Sequence, residues 1–145
     1  MKGHAPGKLA VFIAASDSTA FIDEWTTATY KHPVAIRGIH EIARGKTAHI
    51  AFIVTGHSPG SDGRSHVDID VCVRRPDGSV AYQEAAYGRL ARRNDGQVGF
   101  VMADPTLEFG VDQTDPLGPW RIEAVAHDRV RGTQATAIYL LTVRK

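Results

Sequence analysis

Residues 66–75 read HVDIDVCVRR, and their alternation is the strongest constraint in the chain. Val67, Ile69, Val71 and Val73 are apolar; His66, Asp68, Asp70, Cys72 and Arg74 stand between them. Successive side chains on a strand point to opposite faces, so the pattern calls for a strand buried on one face and solvated on the other.

The same period of two recurs along the sequence. Leu9–Ala15 is an apolar run after Lys2 and Lys8, read as a first strand in preference to the hydrophobic stretch of a secretory leader. SDSTAFIDEW, residues 16–25, reads as a short helix capped by Asp17 or Ser18, with Phe21 and Trp25 on one face. Residues 34–45 form an irregular strand. In residues 47–55, Ala48, Ile50, Phe52 and Val54 point one way, and His49, Ala51 and Ile53 the other. Pro76-Asp77-Gly78-Ser79 is a turn by composition. Residues 79–87 suit an edge strand, and Asn94-Asp95-Gly96 a tight turn. Residues 97–104 and 106–112 are two more strands, divided at Asp104-Pro105.

After a corner at Asp115–Pro119, Trp120, Ile122, Ala124 and Ala126 face inward and Arg121, Glu123, Val125 and His127 outward. Residues 133–145 close the chain with apolar residues on both faces, which predicts a strand covered on both sides. Strands this short, with turns this frequent, predict an all-β fold: an immunoglobulin-like antiparallel β-sandwich of 7–9 strands with one short N-terminal helix. No repeat or linker interrupts residues 1–145, which read as one domain.

Composition narrows function mainly by exclusion. Seventeen basic and 16 acidic residues leave a formal net charge of +1, so there is no broad attraction to nucleic acid. Arg89, Arg92 and Arg93 make only a short basic cluster, read as a solvated loop. The single cysteine, Cys72, excludes an intrachain disulfide and a thiolate-based zinc site. No segment approaches the roughly 20 apolar residues of a membrane-spanning helix. There is no G-x-S-x-G elbow, no phosphate-cradling glycine loop before a helix, and no blue-copper spacing.

Asp115, Pro116, Gly118 and Trp120 resemble the turn that leads into the last hairpin of immunoglobulin-like sandwiches. GHSPGSDGRSHVDIDVCVRRPDGS and GKLAVFIAASDSTAFIDEW resemble segments of uncharacterised proteobacterial exported proteins with that fold. The resemblance covers about half of the chain and implies a fold, with no activity to carry over. In that family a cysteine pair brackets the loop before the cleanest strand; His57 and Ser65 stand at the matching positions here.

Two candidate sites follow. His66, Asp68 and Asp70 lie on one strand face, with neighbours about 6.6 Å apart at Cα. If the 120–128 strand pairs antiparallel with theirs, His127 and Glu123 lie across from them. Imidazole with carboxylate suits Zn or Cu, which makes His66, Asp68 and His127 the candidate metal set. The competing reading is a solvated outer face whose acids are neutralised by Arg74 and Arg121. The glycine- and serine-rich loop 57–65, with His57 and Asp62, is the candidate binding loop; it lacks the spacing of a calcium loop.

The expected function is a non-enzymatic binding or assembly module of the bacterial envelope. It would bind a protein partner or itself through the Ser79–Glu84 edge or a sheet face bearing Ile53 and Val125. The alternative is a metal-binding protein or metal-dependent enzyme. The expected compartment is periplasmic or extracellular if a leader has been removed, and cytoplasmic otherwise.

Overall fold

The structure, a computed structural model, describes residues 9–18, 38–58, 60–90 and 101–145. They form nine strands in two sheets and, among the described residues, no helix. Most of the expected helix, residues 19–25, lies outside the described residues; Ser16 is the last residue of the first strand, Ala10–Ser16. The tight turn expected at Asn94–Gly96 also lies outside them.

The five-stranded sheet runs β2 (Glu41–Ala43), β9 (Thr133–Arg144), β8 (Gly118–Asp128), β4 (Val67–Arg74), β5 (Val80–Leu90). Its pairs are antiparallel except β2 with β9, which is parallel over three residues. The four-stranded sheet centres on β3 (Thr47–Thr55). β1 (Ala10–Ser16) lies along one edge of β3; β6 (Val101–Met102) and β7 (Leu107–Gly110) share the other.

β4 fulfils its alternation. Val67, Ile69, Val71 and Val73 are buried against the other sheet, and Asp68, Asp70, Cys72 and Arg74 point away from it. β8 pairs antiparallel with β4 as expected, with Asp68 opposite His127 and Cys72 opposite Glu123. Trp120, Ile122, Ala124 and Ala126 turn inward. Trp120 is core: its Nε1 donates to the Pro116 carbonyl at 2.9 Å, and its ring meets Phe109 edge-on at 5.2 Å. That one bond satisfies the buried indole N–H, which otherwise would resist burial. Ile50, Phe52 and Val54 supply the facing layer from β3.

Two expectations about apolar faces are corrected. Ile53, which the alternation places on an outer face open to a partner, is 5% exposed, and its neighbour Ala51 is fully buried. β3 is therefore buried on both faces along its middle. The last strand was expected to be covered on both sides, but Ile138 and Leu140 are 55% and 57% exposed. They stand opposite Glu123 and Arg121 of β8, on the face turned away from the core.

The sheets are joined at both edges by backbone. Between β6 and β7 the chain leaves the β3 ladder: Ile53 pairs with Met102 and Ile50 with Leu107, so four residues (Ala103–Thr106) stand opposite two (Ala51 and Phe52). The excess carries Asp104 to β5, where Arg89 N donates to Asp104 O at 2.7 Å and Asp104 N to Arg89 O at 3.1 Å. At the far edge Ile39 N donates to Ala15 O at 2.9 Å, just before the chain enters β2.

Candidate functional site

Asp70 organises the outer face of the five-stranded sheet. Its Oδ2 meets His127 Nε2 at 2.8 Å, and its Oδ1 accepts from the Ala86 N–H at 2.8 Å. That amide belongs to a bulge in β5. Ile69 pairs with Gly88 and Val71 with Glu84, so Ala85, Ala86 and Tyr87 oppose Asp70 alone. Ala86 has φ 52°, left-handed backbone that a non-glycine residue seldom adopts. The carboxylate gives the displaced amide an acceptor. Partial burial pushes the Asp70 pKa upward, but the Ala86 amide, His127 and Arg129 outweigh it, so the carboxyl sits below its ordinary value.

Asp68, Glu123 and His66 are also paired. Arg129 Nε meets Asp68 Oδ2 at 2.8 Å. Glu123 lies between Arg74 Nε at 3.3 Å, the neutralisation expected across the strands, and Arg121 Nε at 3.1 Å, which comes from its own strand. His66 precedes the first residue of β4 and turns back into the loop, where Nε2 meets Asp62 Oδ2 at 3.0 Å. The candidate metal residues are thus divided: His66 with Asp62, Asp68 with Arg129, His127 with Asp70. Among the described residues, no three His, Cys, Asp or Glu side chains are placed together as a cation would need.

The candidate loop is held to the β8–β9 turn by a buried acid. Asp128 is 1% exposed; its Oδ2 accepts from Ser58 N at 3.0 Å and its Oδ1 from Val130 N at 3.0 Å. Two amide donors compensate the loss of water around a carboxylate. Within the loop, Gly60 N donates to Arg64 O and Asp62 Oδ1 accepts from Arg64 N at 2.9 Å, which lowers the Asp62 pKa. His57 lies beside this anchor with Nδ1 buried and without a partner among the described residues. Burial lowers the His57 pKa and the nearby Asp128 charge opposes that, leaving it below its ordinary value.

A cleft of about 670 Å³ opens at this end of the molecule. Asp68 of β4 lies at its centre, with Arg89 and Leu90 of β5 on one flank, Arg129 and Val130 after β8 on the other, and residues 60–62 and His66 also lining it. Asp62 and His66 were legible as candidates. Arg129 was missed because it follows the alternating strand, and Arg89 because it belonged to a run read as a solvated loop. Asp128 follows the inward set of Trp120, Ile122, Ala124 and Ala126 by two residues, a signal that could have marked it as buried.

No protein-family model and no curated protein sequence matches the chain. Among solved structures, the chain is similar to a superoxide reductase (neelaredoxin) from Ignicoccus hospitalis. The match is 12% identical, with TM-score 0.46, over 74% of this chain and 77% of that one. It is also similar to a CARDB domain from Pyrococcus furiosus, solved in complex with di-metal ions. That match is 15% identical, with TM-score 0.45, over 94% of this chain and 88% of the other.

Proposed function

We propose that this chain is a non-enzymatic binding or assembly module of the bacterial envelope, built on an immunoglobulin-like sandwich, and that it engages its partner through the β5 edge. The supporting observation is the state of that edge. β5 is the outermost strand of its sheet, and along Val80–Gly88 no described strand pairs with its far side. Val80 and Tyr82 are 42% and 39% exposed. Such an edge offers N–H and C=O groups to an incoming strand, with apolar side chains to anchor it. The bulge at Ala85–Tyr87 breaks the ladder, which confines docking to Val80–Glu84.

The test compares wild-type protein with Val80→Lys/Tyr82→Lys in pull-downs from bacterial envelope extract and in sedimentation. A partner band or a dimer that the wild type shows and the double variant loses is the expected result. Equal capture by both, or neither capture nor self-association by the wild type, sinks the reading.

A second reading, a metal-dependent protein using His66, Asp68 and His127, requires these side chains to leave the partners they hold here, Asp62, Arg129 and Asp70 respectively. Zn²⁺ or Cu²⁺ added to chelator-stripped protein must raise its melting midpoint by mass action. An unmoved midpoint well above micromolar metal removes this reading.

A further inference from the structure

The cleft has a charge arrangement that the rest of the outer face lacks. Arg89 lies directly opposite Asp68 in the β4–β5 register, but Asp68 takes its ion pair from Arg129. The Arg89 guanidinium therefore has no hydrogen-bond or ion-pair partner among the described residues. Arg129 is only partly engaged: Nε reaches Asp68, while its two terminal nitrogens have no partner among the described residues. The carboxylates of the cleft are both occupied, Asp62 by His66 and the Arg64 amide, and Asp68 by Arg129. Unspent hydrogen-bonding capacity thus belongs to the donors. Apolar surface lies beside them at Val130, which is 40% exposed.

We propose that this cleft binds a small organic oxyanion, its carboxylate or phosphate held by Arg89 and the terminal nitrogens of Arg129, its apolar part lying against Val130. Guanidinium groups present paired N–H donors in a plane, which matches an oxyanion better than an ammonium would. A bound carboxylate shares Arg129 with Asp68 and so completes, without breaking, the ion pair already present. The cleft volume of about 670 Å³ lies within the range of small-molecule sites. The site uses neither Val80 nor Tyr82, so its test is independent of the β5-edge reading.

Three probes separate charge from apolar contact: hexanoate, hexylamine and inorganic phosphate. Each is titrated to about 10 mM while backbone amide resonances are followed, a range that detects millimolar binding. Hexanoate is expected to shift the Arg89, Leu90, Arg129 and Val130 signals saturably; hexylamine is expected not to, and phosphate to bind more weakly. Arg89→Gln is expected to weaken hexanoate binding about tenfold, and Arg129→Lys by less, because it keeps the charge but loses the planar fork. Arg89 is exposed, so the first variant retains the fold, which unchanged β3 signals verify. Hexylamine binding as well as hexanoate, no saturable shift with hexanoate, or undiminished binding by Arg89→Gln each overturns the proposal. Phosphate binding as tightly as hexanoate overturns its apolar half.

Discussion

Strands β3 and β4 are both hydrogen-bonded along both edges, yet they use their faces differently. β4 buries four residues and turns Asp68, Asp70, Cys72 and Arg74 outward. β3 buries Ile50, Phe52 and Val54 toward the core and, on its other face, Ala51 and Ile53 as well. A slip of β4 by one residue would carry Asp68 and Asp70 into the core, so its own sequence specifies its register. A slip of β3 would exchange Phe52 for Ile53, one apolar residue for another. Its register must come from its partners, chiefly the two-residue excess between β6 and β7 that falls opposite Ala51 and Phe52.

That contrast can be broken by mutation. The largest effect is expected from Phe52→Ala, which empties the centre of the core and should cost about 3–5 kcal/mol in urea unfolding. Ile53→Ala and Ile69→Ala come next, at about 2–5 kcal/mol each, because both side chains are buried. If Ile53→Ala costs under about 0.5 kcal/mol, the outer face of β3 is open and the contrast between the strands disappears.

Asp70→Ala should cost less, about 1 kcal/mol at neutral pH, since it removes the acceptor of the Ala86 amide and the partner of His127. The Asp70 pKa is lower in the folded protein than in the unfolded chain, so the unfolded chain binds the proton first as pH falls. Its contribution is present above the unfolded value of about 3.9 and is lost as pH drops through the folded value. Wild type and variant should therefore converge in acid, which melting curves across that range will check. Cys72→Ser should be the mildest, within about 0.5 kcal/mol, because the side chain is only half-buried on the outer face.

The sequence was most legible where polar and apolar residues alternate. β4, β8, their antiparallel pairing and the inward set from Trp120 to Ala126 all follow from period two. The turn at Pro76–Ser79 is equally plain: Gly78 has φ 90° and Asp77 Oδ1 accepts from Ser79 N at 2.9 Å. Other features leave no local trace. The β2–β9 pair joins segments about a hundred residues apart through three residues. The bulge at Ala86 lies in an Ala-Ala pair, where glycine would have announced it. The candidate site was half legible: alternation put Asp70 and His127 on one face, but it carried His66 one residue too far into the strand, where Asp62 takes it instead. Arg129 belongs to a turn, and turns obey no period.

The crossing at Asp104 has a mechanical consequence. One chain segment is ladder partner to β3 at Met102 and, two residues on, to β5 at Asp104, so the two layers share covalent backbone as well as side-chain contact. Sliding one layer over the other would strain that splice before it disturbed the packing between them. Shear is thus blocked at this seam, and the molecule yields by peeling from the unspliced stretch of β5 ahead of it. Amide exchange there should be the fastest in the five-stranded sheet, slowing at Arg89 where the splice begins.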